Sequence, residues 1–129
     1  MDAIALLTAA VLLGGMVFFS FGFAPVLFAQ LPMERVRPLL RGTFPFYYLA
    51  IVGLSAVAAS LAAFVDLTAA GLFAGILFST LYSRQILMHQ INAATDRDDQ
   101  PAFKRLHGLS VVIQLVQIGL AGWAVLLLS

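Results

Sequence analysis

The run AIALLTAAVLLGGMVFFSFGFAPVLFAQLPM, residues 3–33, contains no Asp, Glu, Lys or Arg. Further charge-free runs cover residues 42–65, 67–83 and 106–129. About 20 apolar residues in an α-helix cross the hydrocarbon core of a bilayer, so each run predicts one membrane-spanning helix. Transmembrane β-strands would alternate apolar and polar residues, and these runs do not alternate. The pattern therefore predicts a protein built from four helices.

The composition agrees with a lipid environment. Hydrophobic residues make up 62% of the 129-residue chain and charged residues only 10%, against roughly 45–50% and about 25% in soluble domains. A chain of this length forms one domain, 1–129, which could not bury so much apolar surface in water. The net charge of +1 gives no electrostatic attraction to nucleic acid. The absence of cysteine excludes disulfides, thiolate metal sites, iron–sulfur clusters and cysteine nucleophiles.

The basic residues predict the orientation of the helices. None lies at the N-terminus or beside Asp66, and all 7 fall where the four helices would meet one face of the membrane. They are Arg35, Arg37, Arg41, Arg84, Arg97, Lys104 and Arg105. The positive-inside rule places this side in the cytoplasm and both termini outside. The excess of arginine over lysine and the compact loops indicate a bacterial inner (plasma) membrane.

The predicted fold is an all-α integral membrane protein, a four-helix transmembrane bundle with helices over about 3–30, 44–65, 67–95 and 101–128. The third helix continues past Arg84, whose long side chain can reach the interface. The third and fourth helices would then be about 40 Å long and extend into the cytoplasm. The first loop, LPMERVRPLLRG, is expected to lie in the interface with its arginines against anionic lipid head groups.

Individual residues predict where these helices begin and bend. Asp66 is placed to cap the third helix. Gln100 is expected to cap the fourth helix, with Pro101 in its first turn. Thr43 could cap the second helix. Pro25, late in the first helix, removes a backbone donor, which predicts a kink or an early unwinding.

Small residues recur every four positions on two of the predicted helices. They are Gly71, Gly75, Ser79 and Ser83 on the third helix, and Ser55, Ala59 and Ala63 on the second. Small residues at this spacing allow helix backbones to approach closely. The ridges could serve packing within the chain, the interpretation we favour, or the contact face of a homo-oligomer.

Polar side chains inside a span are costly, so their grouping is the best guide to a functional site. On the fourth helix, polar residues follow at i, i+3, i+7 and i+10 and therefore share one face: His107, Ser110, Gln114 and Gln117. This polar stripe predicts a cytoplasm-facing cleft that reaches about halfway through the membrane.

Further polar residues complete the candidate binding site. Arg84 carries a charge inside a predicted helix at membrane depth and could bind an anion, and Arg105 lies beside the polar stripe. Tyr82 heads a second polar face, on the third helix, which is expected to continue through Gln85, His89, Asn92 and Asp96.

His89 and His107 form a second candidate site. If the hairpin turns near Asp98, each histidine lies nine residues from the turn, and both lie at the same depth. Two imidazoles at one level could bind a divalent metal ion or haem b, or relay a proton. A zinc site would need further ligands, which Asp96, Asp98 or Asp99 could supply, but only outside the bilayer. A flat cofactor could be walled by the aromatic residues of the first helix: Phe18, Phe19, Phe21, Phe23 and Phe28.

Three segments carry a resemblance to a known family: GGMVFFSFGFAPVLF (14–28), FPFYY (44–48) and FKRLHGLS (103–110). In these segments the chain resembles the transmembrane protein 205-like family, domain of unknown function 4149. The RLHxxS pattern of that family corresponds to Arg105, Leu106, His107 and Ser110, and Gln114 stands where the family often has Asn. The resemblance implies a four-helix integral membrane protein of unsettled activity. The layout is loosely similar to copper-resistance D proteins and to haem-type membrane protoporphyrinogen oxidases, in which histidines on helices bind haem.

Three functions stay open at this point. The leading hypothesis is a small membrane protein that binds or translocates a small polar solute or metal ion through the cleft. The alternative is a haem-binding or redox protein with His89 or His107 as axial ligand. The third is a structural or partner-binding membrane subunit. No phosphate loop, dinucleotide fingerprint, zincin motif or nucleophile elbow is present, so the sequence does not favour an enzyme.

Overall fold

A computed structural model describes residues 2–129 of the chain and the side chains of residues 3–129. Met1, the first residue of the expected domain, lies outside the described residues. Helix α1 (Asp2–Val17) continues through a first π segment (Phe18–Phe23) into α2 (Ala24–Gln30). Helix α3 covers Met33–Ala62. Helix α4 (Leu67–Tyr82) continues through a second π segment (Ser83–Leu87) into α5 (Met88–Asp96), and α6 covers Gln100–Leu128. Residues 2–129 contain no β-strand.

Three helical stretches are long and apolar enough to cross a membrane: Ala3–Gln30, Met33–Ala62 and Gln100–Leu128. Large apolar side chains on their outer faces are exposed, among them Leu7, Phe46 and Leu126. Apolar surface left in water forgoes about 25 cal/mol per Å² of stabilisation. A bilayer removes that cost, so the chain is an all-helical integral membrane protein.

An alanine core joins the helices away from the basic residues. Its buried members are Ala5, Ala9, Leu12 and Met16 of α1, Ile51, Ala58 and Ala62 of α3, Ala69, Phe73 and Ile76 of α4, and Ala121, Ala124 and Leu128 of α6. The start of α1, the end of α3, the start of α4 and the end of α6 therefore meet at one end of the molecule. Successive helices run antiparallel as a result. Because alanine allows close backbone approach, this end is tightly packed.

The second helix begins earlier than the sequence predicts. The expected start lies near residue 44, after an interfacial loop and with Thr43 as cap, but α3 begins at Met33. Thr43 lies inside the helix, where its Oγ1 donates to the carbonyl four residues earlier at 2.7 Å. Pro38 favours a loop because it lacks a backbone donor. Tertiary contacts outweigh this preference, since Val36 is buried and Arg41 forms an ion pair.

The N-terminal caps agree with the sequence for one helix and differ for another. Asp66 caps α4 as predicted: its Oδ1 accepts from the backbone N–H groups two and three residues on, at 2.9 and 3.2 Å. The cap of α6 is Asp99 and not Gln100, and its Oδ1 accepts from the N–H three residues on at 3.2 Å. Aspartate is among the strongest capping residues, and glutamine is not. Asp98, at φ 53°, makes the turn that precedes this cap.

Two π segments interrupt the otherwise regular helices. The irregularity expected near Pro25 is the first π segment, at whose end the Ala24 N–H donates to the carbonyl of Phe19, five residues earlier. The second lies between α4 and α5. A π turn holds more residues than an α turn, so the side chains that follow it are rotated relative to a regular helix. On the polar face expected from Tyr82 to Asp96, Tyr82, Gln85 and His89 are exposed and Asn92 is half-buried.

The small-residue ridge on α4 is divided between the inside and the outside of the protein. Ser83 is buried, as is Ser55 on α3, and α3 packs extensively on α4. Gly71 and Gly75 are exposed, and a Cβ added at either would meet no atom within 4 Å. Only the serine end of the ridge therefore serves packing within the chain.

Enlarging a residue of the alanine core should destabilise the protein. Ala58→Leu should lower the free energy of unfolding by about 1–3 kcal/mol, because a fully packed position cannot hold the added carbons. The matched control is Val57→Leu, at an exposed position, which should change it by less than about 0.5 kcal/mol. Reversible unfolding in detergent measures both variants. Equal stability of the two would contradict a close-packed core.

Candidate functional site

A cavity of about 560 Å³ opens at the end of the molecule where α2 meets α3 and α5 meets α6. Residues of α2, α3, α5 and α6 form its walls, together with Asp98 and Asp99 from the turn before α6. We call this space the basic-end cavity. Its volume lies within the range of about 300–1,000 Å³ that is typical of small-molecule sites.

The cavity combines a largely apolar wall with a charged rim. The half-buried apolar and aromatic side chains of the wall include Leu40, Phe44, Ile91 and Phe103, and exposed Phe28 and Met33 extend it toward the outer surface of the protein. The exposed charged side chains at the rim are Arg37, Arg41, Asp98 and Lys104. Such a site can hold an apolar group while contacting a charged one.

Two ion pairs shape the mouth of the cavity. Arg41 donates from Nη1 and Nη2 to the two carboxylate oxygens of Asp96 at 2.7 and 3.0 Å, which joins α3 to the end of α5. This guanidinium holds the pKa of Asp96 below its ordinary value. Arg97 Nε donates to Asp99 Oδ2 at 3.2 Å, and the pKa of Asp99 is lowered first by the backbone N–H of Ala102 and then by Arg97. Both ion pairs are exposed, so each contributes little to the free energy of unfolding. Their main effect is to hold the side chains at the mouth of the cavity in place.

Deeper in the protein, Gln114 joins α6 to two other helices. Its Nε2 donates to Ser20 Oγ in the first π segment at 2.9 Å and to the hydroxyl of Tyr47 on α3. The ring of Phe19 stacks on Tyr47 with the centroids 3.9 Å apart. The side-chain amide of Gln114 therefore donates its hydrogen bonds to groups within the chain.

Gln117, one turn further along α6, joins this helix to α4. The residue is only 4% exposed. Its Nε2 donates to Ser79 Oγ at 2.7 Å and to Thr80 Oγ1 at 2.9 Å, and it lies 3.5 Å from the carbonyl oxygen of Ile76. We call Gln114, Gln117 and the side chains they contact the glutamine belt.

The four residues of the predicted polar stripe have two different environments. His107 and Ser110 line the basic-end cavity. Gln114 and Gln117 lie beyond it and bind neighbouring helices. The stripe runs from exposed His107 to buried Gln117, and it forms a cavity wall at one end and a helix contact at the other.

The other predicted binding residues lie outside the cavity lining. Arg84 lies in the second π segment and donates from Nε to the carbonyl of Pro45 on α3 at 3.3 Å. Tyr82 is 40% exposed on α4, and Arg105 is exposed on α6. The structure therefore does not bring these three side chains to the same site as His107 and Ser110.

The two histidines occupy different surroundings. His107 lines the cavity and stacks on Phe103, with ring centroids 5.6 Å apart and planes 4° from parallel. His89 is exposed on α5 and is not part of the cavity lining. Within residues 3–129, no group of three or more His, Asp or Glu side chains could hold a metal ion. Ligation of haem by either histidine stays a prediction.

Several residues of the site are not assigned to a binding site by the sequence analysis. Arg37, Phe103 and Lys104 line the cavity. On α6 a signal exists, because Gln100, Phe103, Lys104, His107 and Ser110 follow at helical spacing and define the cavity face. The role of Ser20 in the glutamine belt has no such signal, since it depends on the first π segment.

Comparison with known families identifies the chain. A family described as "Domain of unknown function (DUF4149)" matches residues 7–100. The chain belongs to this family. The match covers most of α1 and all of α2 to α5 and ends at the first residue of α6, so FKRLHGLS lies outside it. The transmembrane protein 205-like name and the likeness to haem-binding proteins stay predictions. No curated protein and no solved structure matches the chain.

Removing the amide of Gln117 should weaken the contact between α4 and α6. Gln117→Leu should lower the free energy of unfolding by about 0.5–2 kcal/mol, the range found for hydrogen bonds between membrane helices. Reversible unfolding in detergent measures the change. The matched control is Gln90→Leu, the same substitution at an exposed position of α5, which should leave stability nearly unchanged. Equal effects of the two substitutions would contradict a structural role for Gln117.

Proposed function

We propose that this protein is a four-span membrane protein that binds a small molecule in the basic-end cavity. Besides the three long apolar stretches, α4, the second π segment and α5 together form a span, which is the third in chain order. Helix α4 alone has 16 residues, fewer than the roughly 20 that a span needs, and its continuation supplies the rest. The antiparallel course of successive helices around the alanine core supports this topology.

The basic end faces the cytoplasm in this proposal, and both ends of the chain lie on the opposite side. The support is the distribution of charge, because every Lys and Arg lies toward the junctions of α2 with α3 and of α5 with α6. Arg35, exposed at the start of α3 and outside the cavity lining, is placed to contact anionic lipid head groups. The proposed location is the bacterial inner membrane.

The observation that carries the binding function is the cavity itself. Its walls are contributed by four helices and include aromatic side chains, a histidine and basic groups, which together can contact apolar and polar parts of one ligand. His107 and Ser110 are the predicted binding residues that line it. The ligand would enter at the cytoplasmic end of the membrane-spanning helices.

Binding is a better-supported role than translocation. The glutamine belt lies between the cavity and the alanine core, and its amides are bonded to Ser20, Tyr47, Ser79 and Thr80. A solute that crossed the protein would have to break these contacts and then separate the fully buried side chains of Leu12 and Phe73. A homo-oligomer that provides a path between chains, and a purely structural subunit, are the competing proposals.

Filling the cavity should abolish ligand stabilisation. The probes are decanoate, decanamide and decylammonium. A probe at a free concentration of about 100 times its dissociation constant adds about 2.7 kcal/mol to the free energy of unfolding. At least one probe should raise the unfolding temperature of the wild type and of Val112→Trp, whose side chain is exposed on α6. None should do so for Ser110→Trp, whose indole would occupy the inner end of the cavity and obstruct it.

Thermal unfolding in the same detergent measures all three proteins. Any shift that a probe causes in Ser110→Trp reports its effect on the micelle and is subtracted from the shift of the wild type. A response of Ser110→Trp equal to that of the wild type would refute the proposal. So would the absence of any response in the wild type.

A further inference from the structure

We infer that the ligand of the basic-end cavity is a single-chain amphiphile with an anionic head, such as a carboxylate or a phosphate monoester. This inference rests on the proposed binding function and names the class of ligand.

The charges at the rim are not balanced once the ion pairs are assigned. Arg41 is bonded to Asp96, and Asp99 is bonded to Arg97 and to the first turn of α6. Among the described side chains that line the cavity, Arg37, Lys104 and Asp98 take part in no ion pair. Two cations therefore face one carboxylate, and the uncompensated charge is positive.

The basic groups lie beside donors that suit an oxyanion. His107, Asn92 and Ser110 line the same cavity and offer ring, amide and hydroxyl donors. Hydrogen bonds from charged donors to carboxylate or phosphate are roughly twice as strong as neutral ones. A cationic ligand would meet two positive charges at the rim and is disfavoured.

The apolar wall is continuous with the surface that faces lipid. Phe28 and Met33 line the cavity and are 51% and 50% exposed, at the end of α2 and the start of α3. An apolar tail could therefore pass from the bilayer to Leu40, Phe44 and Phe103 without crossing water, while the head stays at the charged rim. This path favours an amphiphile over a fully polar solute.

The volume favours one tail. A cavity of about 560 Å³ is of the size that encloses a drug-sized ligand. A two-chain phospholipid would leave most of its apolar surface outside, and its binding would then depend little on the cavity wall.

Native mass spectrometry of the full chain in detergent tests the inference with ten-carbon ligands of different charge. Decanoate and decyl phosphate should bind one to one, about tenfold more tightly than decanamide or decylammonium. The Arg37→Gln/Lys104→Gln variant should lose this preference and retain weak decanamide binding. Arg35→Gln/Arg105→Gln, in which the same charge is removed at exposed positions outside the cavity lining, should keep it.

The possible results separate the two proposals. Equal binding of the anion, the amide and the ammonium, all lost in Ser110→Trp, would overturn the inference and leave the cavity as a binding site. Tighter binding of dioleoyl phosphatidylglycerol than of decanoate would overturn the single-chain class. Binding that persists in Ser110→Trp would refute the proposed function itself.

Discussion

The side-chain amides of Gln114 and Gln117 hold α6 against the neighbouring helices. A polar group inside an apolar protein surrounded by lipid has no water to bind, so its hydrogen bonds must go to neighbouring helices. Gln114 joins α6 to the first π segment and to α3, and Gln117 joins α6 to α4. These contacts fix the register of α6 against three other helices at one level of the molecule.

The glutamine belt divides the protein into two halves with different packing. On one side, alanine at Ala58, Ala121 and Ala124 lets the helices pack closely. On the other side, large side chains such as Phe44 and Tyr48 and the π segments accompany a wider spacing, and the basic-end cavity lies between α3, α5 and α6. The proposed ligand site follows from this change in packing, because helices joined tightly at one end leave space where bulky residues separate them.

The sequence predicts the broad architecture well, since it depends on properties that are local in the chain. Three of the four charge-free runs correspond to helices that are long and apolar enough to cross a membrane, and the cap at Asp66 follows from one residue type in the right place. The start of α3 was not predictable in this way. Pro38 favours a loop locally, whereas burial of Val36 and the ion pair of Arg41 with Asp96 depend on residues distant in the sequence.

The candidate site was predictable only in part for a related reason. Helical spacing correctly places His107 and Ser110 on one face of α6, and the structure adds that this face lines a cavity. Spacing cannot tell whether an inward polar group lines a space or binds another helix, which is why Gln114 and Gln117 were assigned to the cleft. The second π segment also rotates the side chains of α5 relative to those of α4, and no residue type in the sequence predicts this segment.

The central claim is that the cavity opens toward the cytoplasm and ends at the glutamine belt. Because the chain contains no cysteine, a single introduced thiol can report on it without background. Labelling with a membrane-impermeant maleimide, added separately to each side of membrane vesicles, should modify Ser110→Cys from the cytoplasmic side only and Ala121→Cys from neither side. Modification of Ala121→Cys, or modification of Ser110→Cys from the outer side, would contradict the account.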